Sequence, residues 1–341
     1  MAPFYKLICE ENNFNIDQAL YSQMLKNNEE KIKEFEVKME EAKESEGETE
    51  IIDVLSKKAD YKAKIGEKEE AIAAYQELYE KGLTIGQRLD ILFSLMRIGF
   101  FFNEPSLLAT NIEKAKELLE TGGDWDRRNR LKVYEGIYLL AIRDFTASST
   151  LLLESIATFT STELMEYKDF VKYTVLVGML SLERVDMKKK IIESPEIREV
   201  LHEIPHLDKY VNSFYQCNYK EFFESLAAIE EVHIFNSSYI FPHHKYYIRE
   251  MRIKAYSQLL ESYRSVTLDN MAKSFGVTVG FIDKDVAKFI AAGRLHCVID
   301  KVNGIIETNR PDSKYAQYQT TIKQGDMLLN RIQKLSRVIN I

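Results

Sequence analysis

One stretch of the sequence matches a catalytic motif, since His202-Glu203-Ile204-Pro205-His206 has the HExxH pattern of zinc hydrolases. In such enzymes two His side chains one helical turn apart bind Zn²⁺, and the Glu activates a water molecule. This geometry requires a continuous helix, but Pro205 disfavours helical geometry at Ile204 and has no amide hydrogen to donate. We therefore expect a helix that ends at Ile204, partly exposed His side chains and no zinc. A zinc hydrolase remains a rival hypothesis, which metal analysis would test.

The remaining His and Cys residues also lack a spacing typical of catalysis or metal binding. His243 and His244 are adjacent, so on a helix their rings point about 100° apart and cannot easily share a metal. Cys9, Cys217 and Cys297 are far apart and form no CxxC pair, which is typical of packing residues in a reducing compartment. The sequence contains no GxxxxGK[ST], no GxGxxG and no Ser-His-Asp or Cys-His signature. We predict no catalytic residue, no cofactor and no metal.

Composition favours a helical, soluble protein. Only 14 Gly and 6 Pro occur among 341 residues, so turn-rich sandwiches and low-complexity linkers are poor fits. With 45% hydrophobic residues the chain can bury a large core. The net charge of −7 argues against general binding to nucleic acid. No apolar stretch reaches the roughly 20 residues of a membrane span, and we expect a protein of the cytoplasm and the nucleus.

Residues 1–50 are expected to form charged N-terminal helices. The range 29–50 contains ten Glu and four Lys, which gives −6 of the net charge of −7. Apolar residues at spacings of 7, 3, 4 and 3 form a narrow seam on one helix face. The seam residues are Leu25, Ile32, Phe35, Met39 and Ala42. This seam either rests on the next helix or docks a partner, and the run Glu-Ser-Glu-Gly at 44–47 should end the helix.

Residues 51–185 show a repeat of paired helices. The turns within the pairs are expected near Gly66, Asn103, Asp144 and Val185. Their separations of 37, 41 and 41 residues are close to the tetratricopeptide period of about 34 residues. Because one helix pair cannot bury its apolar face alone, such pairs stack. We predict a right-handed, TPR-like helical solenoid whose default role is binding or scaffolding, with its last helix beginning at Thr162.

Residues 186–310 are expected to form a second domain, followed by a C-terminal helix at 311–341. The part 186–262 stays helical, whereas 263–310 has helix, turn, helix and hairpin in close succession, which is the order of a winged helix. The expected elements are a β-prone piece at 264–267, helices at 268–274 and 279–292, and β-prone runs at 295–299 and 304–308. The glycines at 276 and 293 should end the two helices.

A winged helix can bind either DNA or protein. Between Arg264 and Arg310, seven Lys or Arg face five Asp or Glu, and the second helix would turn Asp283 and Asp285 toward phosphates. That helix also lacks the Arg, Asn and Gln residues that read bases. We therefore favour a protein-binding winged helix, whose outer hairpin strand offers unpaired backbone groups to a neighbouring subunit. The candidate interface residues are Leu295, Cys297, Ile299, Ile305 and Glu307.

The C-terminal helix carries an apolar seam at spacings of 4, 3 and 4, as in a coiled coil. We call this set the terminal seam, and its residues are Leu328, Ile332, Leu335 and Ile339. The seam either packs on the chain's own winged helix or enters a bundle with helices from other subunits. We favour the bundle, because a long terminal helix with apolar residues up to its end rarely stands alone.

The order of solenoid, winged helix and terminal helix resembles the PCI family, the α-helical scaffold proteins shared by the proteasome lid, the signalosome and a translation initiation factor. Long runs are similar to proteasome-lid members of that family. They are GDWDRRNRLKVY at 123–134, AYSQLLESYRS at 255–265, FIAAGRLHC at 289–297, VNGIIETNRPD at 302–312 and the ending at 328–341. The resemblance covers essentially the whole chain and is weakest in residues 10–60 and 185–245. Members of the family usually carry a further N-terminal extension ahead of the position that matches Met1.

The resemblance implies a non-catalytic scaffold subunit of the lid of the 26S proteasome, which supports ubiquitin-dependent protein degradation. The implied partners are other PCI and lid subunits in a hetero-oligomer, with the ATPase ring as a further candidate, and neither nucleic acid nor a membrane. The winged helices would join in a horseshoe, and the terminal helices would gather in one bundle. The alternatives are a PCI subunit of the signalosome and a winged-helix nucleic-acid module.

Overall fold

Helices dominate the computed structural model, which describes residues 2–44, 48–81, 84–308 and 313–339. Within these residues, seventeen α-helices alternate with short turns, and the three strands are each three or four residues long. The mainly α fold class is therefore confirmed. The chain divides into two units, Met1–Val177 and Gly178–Ile341.

The first unit is built from helical hairpins. Its helices are α1 (Ala2–Glu11), α2 (Gln18–Glu44), α3 (Glu48–Ile65), α4 (Lys68–Glu80), α5 (Ile85–Phe101), α6 (Pro105–Gly122), α7 (Trp125–Ala141), α8 (Phe145–Ser155) and the larger part of α9 (Tyr167–Ser181). The hairpins α3/α4, α5/α6 and α7/α8 follow one another, and α5 packs against α4, α6 and α7. Stacked helix pairs of this kind agree with the predicted repeat, while the right-handed path of the solenoid stays a prediction.

Each of these hairpins turns on one residue in the left-handed backbone conformation. The φ angles are 92° at Gly66, 53° at Asn103 and 72° at Arg143. The residue after the turn donates its amide back to the preceding helix, as Asp144 does to the carbonyl of Leu139 at 2.9 Å. This is the Schellman ending, which satisfies carbonyls that the helix leaves unpaired. The turns predicted at Gly66 and Asn103 are confirmed, and the third lies one residue before the predicted Asp144.

The acidic helix α2 rests on α3 with its apolar seam. The rings of Phe35 and Tyr61 lie 5.6 Å apart, and the Tyr61 hydroxyl donates to Asn28 Oδ1 at 3.2 Å. Met39 packs against the hydrophobic core of the first unit, and Ala42 is buried. Of the two alternatives for the seam, the structure therefore supports packing on the next helix. Both α1 and α2 lie in the range 1–50, which was predicted to form N-terminal helices.

The expected start of α9 at Thr162 is wrong, since the helix begins at Tyr167. Glu163 is turned toward α7, where its carboxylate pairs with Arg130 at 3.5 Å and accepts from the Tyr134 hydroxyl at 3.3 Å. These tertiary contacts outweigh the local preference of Thr and Glu for the first turn of a helix.

The second unit carries shorter helices and one small sheet. Its helices are α10 (Arg184–Met187), α11 (Pro195–Leu201), α12 (Leu207–Tyr215), α13 (Tyr219–Ile229), α14 (His244–Ser262), α15 (Leu268–Phe275), α16 (Val279–Ala291) and α17 (Ser313–Ile339). The strands are β1 (Ser265–Thr267), β2 (Cys297–Asp300) and β3 (Ile305–Thr308). The turn predicted near Val185 lies two to three residues earlier, at 182–183 between α9 and α10, and Val185 itself is inside α10.

The HExxH stretch spans a break between two helices. The helix α11 ends at Leu201, three residues before the expected Ile204, and His206 has a left-handed φ of 65° just before α12. Ile204 is buried, while His202 and His206 are both exposed. The two His side chains therefore do not share one helix face. Among the described residues, no group of three or more His, Cys, Asp or Glu is placed to hold a metal ion.

A half-buried lysine binds the carbonyl groups at the end of α9. Lys254 of α14 donates its ammonium hydrogens to the carbonyls of Met179, Leu180 and Leu182 at 2.6, 3.2 and 2.6 Å. A cation at a helix C-terminus is favoured by the helix dipole and satisfies carbonyls that have no helical partner. Burial lowers the pKa of Lys254 to about 8. This side chain attaches α14 to residues 179–182 of the same unit, and the winged helix follows α14 in the chain.

Candidate functional site: the wing edge and the terminal helix

The three strands form one antiparallel sheet in the order β1-β3-β2. In its register Ile306 of the central strand pairs with Val266 of β1 on one side and with Ile299 of β2 on the other. Because β3 is paired on both sides, its backbone cannot accept a further strand. The outer side of β2 has no neighbouring strand within this sheet, as is the case for any edge strand. We call this side of β2 the wing edge.

Two of the predicted interface residues belong to the core of their own unit. Leu295 and Cys297 are both buried, and burial raises the pKa of the Cys297 thiol. Their side chains support the sheet from inside, so they could take part in an interface only through their backbone groups. That role stays a prediction.

The other predicted interface residues lie on both faces of the hairpin. Ile299 is half-buried and opposes the fully buried Ile306, whereas Glu307 is exposed. Val298 opposes Glu307 in the register and exposes 55% of its surface. Sequence reasoning did not select Val298, although the period of two in a strand places it opposite to Cys297. The outer face of the wing therefore includes Val298 and Glu307, together with the half-buried Ile305.

A buried carboxylate attaches α16 to α14. Asp285 is buried and accepts from Arg252 Nη1 at 3.0 Å and from the Tyr256 hydroxyl at 3.2 Å. The nearby carboxylate of Asp285 adds to the effect of burial, which is the main cause of a raised pKa at Tyr256. The expectation that Asp285 faces phosphates is wrong, because this position of α16 points into the unit. The fixed α16 in turn positions β2, which it contacts.

A second carboxylate ties the end of α16 to the same helix. Glu250 of α14 is buried and binds the guanidinium of Arg294, whose Nη1 donates at 3.2 Å. Arg249 also donates to Glu250, from Nη2 at 3.1 Å. Arg294 follows Gly293, which ends α16 with a φ of 69°. Glu250 and Asp285 together fix the winged helix on α14. This structural role was not predicted from the sequence for either residue.

The terminal helix α17 has an exposed apolar surface. From residue 317 to residue 339 every described side chain is exposed. The terminal seam exposes 60% of Leu328, 53% of Ile332, 61% of Leu335 and 71% of Ile339. Met327, Leu329 and Val338 are also largely exposed and widen the apolar surface. A continuous apolar surface of this kind is typical of a protein interaction site. No described helix combines the length and apolar character that are needed to cross a bilayer.

Three protein-family models match the chain in succession. The model described as 26S proteasome subunit RPN7 matches residues 17–190, which is about half of the chain. The PCI domain model matches residues 185–310, and the model of the 26S proteasome regulatory subunit RPN7/PSMD6 C-terminal helix matches residues 317–339. The chain belongs to the Rpn7 family. Its winged helix lies in the part matched as a PCI domain, and most of the exposed α17 lies in the part matched as the family's C-terminal helix.

Curated relatives support this membership along the whole chain. The 26S proteasome non-ATPase regulatory subunit 6 homolog of Arabidopsis thaliana is 47% identical over 341 residues, covering 100% of this chain and 88% of the relative. The 26S proteasome regulatory subunit RPN7 of Saccharomyces cerevisiae is 39% identical over 365 aligned positions, covering 100% of this chain and 85% of the relative.

The signalosome alternative has less support. Subunit 1 of the COP9 signalosome complex of Arabidopsis thaliana is 25% identical over 164 residues. That match covers 48% of this chain and 37% of the relative. The Rpn7 family is thus the better description of the chain.

Proposed function

We propose that the chain is a scaffold subunit of the lid of the 26S proteasome and supports ubiquitin-dependent protein degradation. The observation that carries this proposal is the terminal seam on α17, which stays exposed over four apolar positions in a chain of the Rpn7 family. Free in water, such a surface is unfavourable, and burying it against helices of neighbouring subunits removes apolar area from solvent. Of the two alternatives for the terminal helix, exposure of the seam favours the bundle.

Two surfaces would act together in assembly. The wing edge offers backbone groups to a strand of an adjacent PCI subunit, and the terminal seam enters a helical bundle. Because both lie on one chain, binding at the first raises the effective concentration at the second. Two contacts that are weak alone would therefore give stable incorporation into a hetero-oligomer.

The proposed role is non-catalytic and needs no cofactor. The partners would be other PCI and lid subunits, and contact with the ATPase ring is a further element of the proposal. Neither nucleic acid nor a membrane is needed as a partner. The protein would act in the cytoplasm and the nucleus.

Truncation of the terminal helix tests the proposal. A tagged chain that ends at Gln324 lacks the terminal seam but keeps the wing edge, and we expect it to recover at least about tenfold less of the lid subunits than the full chain. The measurement is affinity purification with quantitative mass spectrometry, with the circular dichroism spectrum of each chain as the folding control. Equal recovery of lid subunits by both chains would contradict the role of the bundle.

A further inference from the structure

The first unit contains a polar cavity that the wing edge and the terminal helix do not touch. The cavity has a volume of about 340 Å³ and lies between α3, α4, α5 and α7. Its size is in the range of ordinary ligand sites. The side chains that matter for its chemistry are Asp53, Asp60, Tyr75, Ser94, Arg97 and Arg130.

The cavity is extended along the hairpins by a second one. This neighbour has a volume of about 450 Å³ and is also lined by Asp60, Tyr75, Ser94 and Arg97. It continues to Phe101 and Phe102 at the end of α5. The two cavities share four lining residues, and we call the pair the slot, which is polar over most of its lining and apolar at Phe101 and Phe102. Stacked helical hairpins commonly present such extended surfaces to peptide segments.

Arg97 stands at the junction of the two cavities and lacks an acidic partner. Its Nη2 donates to the Ser94 hydroxyl at 2.8 Å. Among the residues that the structure describes, no carboxylate oxygen lies within the 4.0 Å of an ion pair with it. Arg130, the other arginine in the lining, already has acidic partners, since it pairs with Asp126 at 3.1 Å and with Glu163 at 3.5 Å.

The carboxylates in the cavity lining either already bind a partner in the chain or lie where they would repel a highly charged anion. Asp90 binds Arg127 through both oxygens, at 3.1 and 2.9 Å. Asp60 accepts from the Tyr75 hydroxyl at 2.5 Å, and that bond adds to the effect of burial, which is the main cause of the raised pKa at Tyr75. Asp53 and Asp60 also line the cavity, and they would repel a doubly charged phosphate more strongly than a singly charged carboxylate.

We propose that this slot binds an extended peptide segment whose carboxylate pairs with Arg97 and whose neighbouring apolar side chain reaches Phe101 and Phe102. A guanidinium binds a carboxylate in a planar, bidentate geometry, so a half-buried arginine without an acid is suited to this ligand. The carboxylate comes either from an Asp or Glu side chain or from the C-terminus of the segment. The site lies within the first unit and does not rest on the proposed assembly surfaces.

The test uses the full chain and three short peptides with acetylated N-termini. The first contains Leu next to Glu and has an amidated C-terminus, the second replaces that Glu with Gln, and the third keeps the Gln but has a free C-terminal carboxylate. Binding is measured by line broadening of the peptide proton signals. We expect a Kd of about 1 mM or tighter for one or both carboxylate peptides, and binding at least about tenfold weaker for the neutral peptide. The responses of the first and third peptides distinguish the two carboxylate sources.

Three variants connect the binding to the arginine. Arg97→Gln should weaken binding of the carboxylate peptides by about tenfold or more. Arg97→Lys should weaken it less, because lysine keeps the positive charge but lacks the bidentate hydrogen bonding of a guanidinium. Arg128→Gln removes an equal charge at an exposed position of α7 outside the slot and should bind as the unmodified chain does. Equal binding of the neutral and carboxylate peptides, unchanged binding by Arg97→Gln, or no binding of any peptide would overturn the proposal.

Discussion

Replacing Leu328 and Ile332 of α17 by Asp should remove the chain from the proteasome lid. Both side chains are more than half exposed in the isolated chain, so their replacement costs little stability before assembly. In the proposed bundle they would be desolvated, and a carboxylate there would lose hydration without gaining a partner. Loss of two buried apolar anchors and burial of two charges should lower recovery of lid subunits by roughly a hundredfold or more. The measurement is affinity purification of the tagged variant with isotope-labelled quantification.

The matched control introduces the same charge on the opposite side of the same helix. Asn330→Asp combined with Gln333→Asp adds two carboxylates within the same stretch of α17 but leaves the terminal seam intact. We expect this control to recover lid subunits at nearly the level of the unmodified chain. Equal losses from the two pairs would show that the charge of α17 matters and not its apolar face, and full recovery by Leu328→Asp with Ile332→Asp would refute the bundle.

Asp285→Ala should loosen the winged helix by about 3 kcal/mol. The substitution removes the carboxylate that Arg252 and Tyr256 both donate to, and it leaves a half-buried guanidinium and a buried hydroxyl without their acceptor. A loss of this size corresponds to a roughly hundredfold shift in the local opening equilibrium. Hydrogen exchange of amides in β2 and β3 measures that opening directly, because it reports on the sheet without requiring the whole chain to unfold as one unit.

Lys284→Ala is the control for this prediction, since Lys284 precedes Asp285 on α16 but is exposed. We expect exchange in β2 and β3 to stay unchanged in this variant. The same protection in Asp285→Ala as in the control would contradict the claim that the buried carboxylate fixes the winged helix. If Asp285→Ala also lowers recovery of lid subunits, the wing edge depends on this attachment.

The winged helix could be predicted closely from the sequence because its boundaries have strong local signals. Gly276 and Gly293 adopt φ angles of 66° and 69°, which glycine reaches without the steric cost of a Cβ atom. Both residues therefore marked helix ends correctly. The turn at Gly66 was predictable for the same reason, and the turn at Asn103 because asparagine tolerates the left-handed region better than most residues with a Cβ atom. Arg143 and Cys217 also adopt left-handed conformations, which their residue types do not predict.

The faces of the candidate interface were harder to predict. Cys297 and Ile299 look like good contact residues because they are apolar, but the sheet turns them toward the interior and leaves Val298 outside. A four-residue strand has too few residues for its alternation to show which face is buried. Asp285 is the opposite case, because a charged residue on a helix is usually exposed unless it has a charged or hydrogen-bonded partner. That partner, Arg252, lies 33 positions away in the chain.

The slot around Arg97 could not be found from the sequence at all. Its polar side chains come from four helices, and none of them forms a motif with its chain neighbours. The terminal seam is the opposite case, since four apolar residues on one face of one helix define it. Local patterns thus predicted the apolar face of α17, whereas the cavity depends on how the hairpins pack.

The composition of the complex that contains this chain tests the central claim most directly. The measurement is quantitative mass spectrometry of complexes purified through a tag on the full chain, expressed in its own cells. We predict lid subunits of the 26S proteasome at amounts equal to the tagged chain, together with the other parts of the regulatory particle. Recovery of signalosome subunits in equal amounts without the proteasome, or recovery of the chain alone, would contradict the account.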